Sequence, residues 1–277
     1  MRPMTPTYTV ELFPPLHAEL LALLRRLGPD DWLRPTIAGS WRVRDIAAHL
    51  LDGDLRKLSG GRDGHRLASR PLTSFASIVD FINDLNAGGV AYAGRLSPRV
   101  LTDLLEVTGE WVARYVAALE PHARSTIAVA WAGEDRSENW MDTGREYTER
   151  WHHQMQIREA VGAPGLLERR WYQPVLDLSV RALPRAYDRV AAPSGTAVVF
   201  EVEADGENVW SMVRDDARWR MVRGAATDPA ARLRIGADAA WKLLFNALPP
   251  DAARVHVAID GDRRLAEPLL AARAVMV

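Results

Sequence analysis

The chain contains no cysteine, which excludes disulfides, cysteine-ligated zinc and a protein thiol nucleophile. It has almost no lysine: Lys57 and Lys242 are the only two among 277 residues. Its positive charge is otherwise arginine, whose planar guanidinium recognises carboxylates in a bidentate way. Neither sign of charge dominates. With a net charge of −1, no global field draws nucleic acid or an anionic membrane surface. No apolar run approaches the roughly 20 residues of a membrane span. Met1 to Leu12 lacks the charged stretch and apolar core of a signal peptide, so a cytoplasmic location is expected.

What remains is a globular composition. Hydrophobic residues make up 48% of the chain, enough for a full core. Leu16, Leu20, Leu23, Leu24 and Leu27 predict a first helix over 14 to 28, opened by Pro14 and Pro15 and stopped by Gly28. A second helix is expected from about Val43 to Ser59, with Ile46, Leu50, Leu51, Leu55 and Leu58 on its apolar face and Asp45 in its first turn. Residues 60 to 65 read as a loop. Residues 74 to 95 have a helical pattern, expected to break near Gly88-Gly89. Ser97-Pro98 opens a long helix to about Glu120. An irregular stretch, 121 to 141, carries strand-like pieces around Ile127 to Trp131. A further helix runs from about Asp142 to Val161, ended by Gly162 and Pro164. Trp41, Trp111, Trp140 and Trp151 are expected to fill the helical core and its ends.

The pattern then changes. One helix is expected over 170 to 189. Short strands follow at 196 to 203, 208 to 214, 219 to 223 and 232 to 235. A helix at 237 to 248, a strand at 255 to 259 and a final helix at 262 to 274 complete the chain. The expected architecture is therefore multidomain: an all-α domain, residues 1–168, followed by a small α+β domain, residues 169–277. Trp210, Trp219, Arg220 and Arg223 lie among acidic residues of the second domain, a poor pattern for a nucleic-acid surface.

Three residue types that ligate metals stand on two distant helices. His49 follows Ala47-Ala48 near a buried face. Glu149 shares a helix face with His153, four residues on, and with His152, three residues on. Two imidazoles, a carboxylate and an open fourth position make a common catalytic zinc set. Spacing alone leans towards His153 and leaves His152 open. Asp52 and Arg56 follow His49 by three and seven residues, and Arg145 precedes Glu149 by four. Either arginine could grip a substrate carboxylate, or simply sit in a solvated ion pair.

The run Gly39-Ser40-Trp41-x-Val43-Arg44-Asp45-x-x-Ala48-His49-Leu50, with Glu149-x-x-x-His153-x-x-x-Ile157-Arg158, resembles the mycothiol-dependent maleylpyruvate isomerase family of the DinB-like metalloprotein superfamily. The resemblance covers the chain to about residue 165. It implies a DinB-like four-helix bundle with a divalent metal, usually zinc, on His49, Glu149 and His153. The segment with Gly261-Asp262 looks like the small, sterol-carrier-like α+β domain that follows in these proteins. The resemblance also implies a low-molecular-weight thiol such as mycothiol as cofactor, which suits a chain that must borrow its sulfur. Zinc lowers a thiol's pKa and delivers the nucleophilic thiolate. Thiolate addition to an activated double bond permits rotation and cis–trans isomerisation; displacement or epoxide opening would give a stable conjugate instead. The expected partner is a small electrophilic substrate. The alternatives are a non-catalytic metal- or ligand-binding protein and a hydrolase using zinc-bound water.

Overall fold

A computed structural model describes residues 1–65 and 73–275. The chain forms two compact units, neither continuous in sequence. One comprises Tyr8–Thr126 and Glu138–Leu166; the other comprises Met1–Thr7, Ile127–Ser137 and Leu167–Val277. This departs from two domains that meet at 168. The reason is hydrogen bonding: Arg2–Pro3 pairs with a strand of the second unit, and Arg181 and Arg185 donate to the carbonyls of Thr5 and Ala130.

The first unit is helical. Its helices are α1 (Phe13–Leu24), α2 (Val43–Arg56), α3 (Phe75–Ala93), α4 (Pro98–Ala117) and α5 (Asn139–Val161). Helices α1, α2, α4 and α5 pack on one another and α3 lies against α2. Ser97 Oγ accepts the Val100 N–H and Pro98 occupies the first turn, so α4 begins where its sequence directs. The Asp45 carboxylate accepts the Arg42 N–H at 2.9 Å and so closes the start of α2. Gly162, at φ 68°, ends α5 in a left-handed conformation that glycine adopts without strain. The apolar core joins Leu20 and Leu24 of α1, Ile46 and Leu50 of α2, Leu101 and Leu105 of α4, and Ile157 of α5.

Several elements differ from the sequence pattern. Helix α1 ends at Leu24, four residues before Gly28, and α5 starts at Asn139 rather than Asp142. Leu55 is 45% exposed; the buried stripe of α2 continues instead through Asp54, which has its own charged partner. After Arg56 the helix widens into a π-helical turn, Lys57–Arg62. Helix α3 runs unbroken through Gly88-Gly89. A glycine costs a helix only about 1 kcal/mol relative to alanine. Gly89 here serves close approach: a Cβ on it would lie 2.3 Å from the carboxyl carbon of Asp52 on α2. Of the tryptophans, Trp151 is fully buried while Trp111 is 42% exposed.

The second unit holds a mixed six-stranded sheet in the order β1-β4-β3-β2-β5-β6. Its strands are β1 (Arg2–Pro3), β2 (Ala197–Glu203), β3 (Val209–Arg214), β4 (Trp219–Arg223), β5 (Ala231–Gly236) and β6 (Val257–Gly261). Only β2 and β5 pair in parallel. Strand β2 sits between β3 and β5, and Ala197, Val198, Val199 and Phe200 are all buried. Cover on both faces accounts for the consecutive apolar residues of this strand in place of strict alternation. No strand forms at 127 to 131. Ala130–Ala132 is a 3-10 turn, and the Val129 N–H donates to Ser137 Oγ instead of to a ladder.

The remaining helices are α6 (Arg169–Ser179), α7 (Leu183–Ala186), α8 (Ala237–Leu244), α9 (Pro250–Ala253) and α10 (Arg263–Ala266). Two expected helices are therefore divided. Pro184 has no N–H for the Val180 carbonyl, and Val180–Ala182 is a 3-10 turn. Pro268 likewise breaks the last helix into α10 and a 3-10 turn, Glu267–Ala271. No described helix is long and apolar enough to cross a membrane.

One close approach yields a test. Gly109 on α4 faces His17 on α1, and a Cβ there would stand 2.2 Å from the imidazole. Overpacking outweighs the gain in helix propensity, so Gly109→Ala should lose about 1–2 kcal/mol in urea denaturation. Adding His17→Ala should recover part of that loss, because the two sites touch. Equal stability of Gly109→Ala and the parent would show that the contact does not constrain α1 against α4.

Candidate metal centre

Helix α2 supplies His49 and α5 supplies Glu149 and His153. One donor atom from each lies within 4.8 Å of the other two. The His49 and His153 rings meet edge to face, with centroids 4.6 Å apart. His153 Nε2 is 3.5 Å from Glu149 Oε2, the contact that i, i+4 spacing allows. Trp41, just before α2, places its ring 5.0 Å from His49 and 6.2 Å from His153.

The electrostatics suit cation binding. Burial first, then the neighbouring His153, hold the His49 imidazole well below its ordinary pKa, so it is neutral and keeps a lone pair. Burial opposes ionisation of Glu149. Contact with His153 and the nearness of His152 and Arg145 nevertheless keep its carboxyl well below the usual range. His49 Nδ1 is buried without a hydrogen-bond partner, so this ring has unmet bonding capacity. Two imidazoles and one carboxylate make a donor set that fits zinc.

His152 points elsewhere. Its Nδ1 lies 2.9 Å from the Thr148 carbonyl of its own helix, and it is not among the three converging donors. Burial, then His153, pushes its pKa down to about 3. The residue that spacing analysis overlooked is Gln156, whose Oε1 is 2.8 Å from His153 Nδ1. Its signal was its position, three residues after a ligand candidate on the same helix face.

The other candidates are already engaged. Arg145 donates to Asp142 at 2.9 Å and to Glu146 at 3.1 Å. Arg56 Nε lies 2.8 Å from Asp52 Oδ2, and its Nη2 donates to Asn86 Oδ1 at 2.8 Å. Burial raises the Asp52 pKa against the opposing pull of Arg56. The arginines are thus paired with protein groups.

Around them runs a buried charged network that the sequence did not disclose. Lys57 Nζ donates to Asp142 Oδ2 at 2.7 Å, and Ser125 Oγ donates to the same oxygen at 3.0 Å. Arg150 donates to Asp54, which also accepts from Thr108 Oγ1. Asp54, Lys57 and Asp142 are 1%, 7% and 3% exposed, so losing any one would strand a buried charge.

Such a helical unit, presenting a converging His–Glu–His set near one aromatic ring, defines a class of three-donor helical domains. The family model described as the mycothiol maleylpyruvate isomerase N-terminal domain matches residues 13–158, and the chain belongs to that family. No match exists among curated proteins. Among solved structures, the chain is similar to the mycothiol-dependent maleylpyruvate isomerase, with 11% identity, a TM-score of 0.54 and 91% of each chain covered. A histidine-to-alanine mutant of that enzyme gives the same identity and coverage with a TM-score of 0.50. At this identity the likeness is one of fold.

The network predicts an acid limb of stability. Burial would raise the Asp142 pKa, but Arg145 and Lys57 outweigh it and hold it down to about 2. A folded pKa below the unfolded value of roughly 3.9 stabilises the protein above that value. The contribution is lost as pH falls towards 2. Asp142→Asn, which leaves Lys57 buried and uncompensated, should cost about 3–5 kcal/mol at neutral pH. The gap between parent and variant should shrink as denaturation is repeated from about pH 4 downwards. A gap that does not change with pH would remove Asp142 from this role.

Proposed function

We propose that His49, Glu149 and His153 hold one divalent ion, zinc by its donor set, and that the protein acts with an exogenous low-molecular-weight thiol such as mycothiol. The reaction is isomerisation of a small electrophilic substrate, or thiol transfer to it. The observation that carries this reading is the convergence of three donor atoms from two helices within 4.8 Å. Membership of the family and the absence of cysteine support it, since sulfur must come from outside the chain. When bound, the ion supplies Lewis acidity that turns a thiol into thiolate near neutral pH.

The chain's own groups do the rest. Glu149 brings negative charge to the cation, and Arg145 favours its ionised form while tied to Asp142 and Glu146. Trp41 covers the imidazoles and limits access of water. Arg56, shared between Asp52 and Asn86, exchanges a partner for a substrate carboxylate. We place the protein in the cytoplasm and assign the metal chemistry to the helical unit, with the sheet unit as a sterol-carrier-like accessory domain.

Elemental analysis of untagged protein, purified without chelator, should find one divalent ion per chain. His49→Ala and His153→Ala should lose it, and His152→Ala should keep it. With cobalt substituted, adding mycothiol should raise a near-ultraviolet charge-transfer band, and a cis-configured activated alkene should be isomerised only when thiol is present. A metal-free parent would overturn the site. Metal without any thiol response, but with ester or amide hydrolysis, would move the reading to a hydrolase. Metal with neither would leave a binding protein.

A further inference from the structure

The two imidazoles of the cluster are not equivalent, and the difference lies in the contacts of their Nδ1 atoms. His49 Nδ1 is buried and meets no hydrogen-bond partner. His153 Nδ1 meets the side-chain oxygen of Gln156 at 2.8 Å. Gln156 is itself 4% exposed, so bulk water does not compete for that contact. An amide oxygen only accepts, so the proton must reside on Nδ1. In the neutral form that a metal ligand must take, the lone pair is then on Nε2, the nitrogen 3.5 Å from Glu149 Oε2. Were the amide reversed, its NH₂ would donate to Nδ1, place the ring proton on Nε2 and close that nitrogen to a cation.

We infer that Gln156 is a positioning residue that fixes the tautomer and ring orientation of His153 and so makes Nε2 a preformed metal donor. This rests on the metal reading proposed above. It goes beyond that reading by dividing the labour within the site. His153 is held ready by a buried amide, whereas the protein imposes no tautomer on His49 through Nδ1. Partners of this kind change metal affinity by about 10–100-fold when removed.

The test measures zinc affinity of the full chain by competition with a chromophoric chelator, beside a thermal melt followed by circular dichroism. Gln156→Met keeps much of the length and bulk but removes the acceptor. Gln156→Glu keeps an acceptor, and Gln156→Ala reports the same loss if methionine does not pack. The expected result is about 10–100-fold weaker zinc binding in Gln156→Met or Gln156→Ala. Gln156→Glu should bind as tightly as the parent or more tightly, with the melt unchanged. Parent-like affinity in Gln156→Met overturns the inference and leaves the metal site standing. Equal weakening in Gln156→Glu and Gln156→Met overturns it too, because the role would then be packing. A parent that takes up no zinc overturns the metal reading, and the positioning role with it.

Discussion

Each charge that α5 buries is answered by a group from its own helix or a neighbour, and two of these pairings tie it to the end of α2. Asp142 meets Lys57 and Arg150 meets Asp54. As residue numbers fall along α2 they rise along α5, so the helices run antiparallel. An isolated charge in a low-dielectric interior is costly enough that a slip of one turn would strand both pairs. With those contacts made, His49 stands opposite Glu149 and His153. The centre is thus a consequence of a register that the ion pairs define, and the leucines alone would tolerate other registers because apolar contact is non-directional.

Much of this could be read from residue order. Ser97-Pro98, Asp45 and Gly162 announced helix ends because each has one local mechanism that works in any surroundings. The three donors were legible for a similar reason: i, i+4 spacing fixes Glu149 against His153 within one helix. Residue type and a buried helix face put His49 forward as well, while spacing left His152 open against His153 and the resemblance of the two motifs selected His153.

What escaped was set by partners distant in sequence. Leu55 matched the helical period better than Asp54, because a period analysis cannot see that Arg150 will neutralise a buried aspartate. Gly88-Gly89 read as a break because the close approach of Asp52 belongs to another helix. The apolar residues at 127 to 131 read as a strand because no local signal reports that ladder partners are missing. Pro184 and Pro268 were the exceptions: the interruptions they make follow from their missing N–H groups and were available in the sequence.

The pairing of Arg2–Pro3 with β4 has a bearing on how the chain matures. An edge strand drawn from the second and third residues joins a sheet whose other strands begin near residue 197, so its closure spans most of the polypeptide. Contacts of such separation form slowly, because the intervening chain must first surrender its entropy. During synthesis the first residues would wait, unpaired, while the helical unit assembles, and would find their place only after the sheet emerges. The segment Ile127–Ser137 waits in the same way. Division at residue 168 would therefore leave the helical unit whole but strip the sheet unit of its edge strand and of Ile127–Ser137.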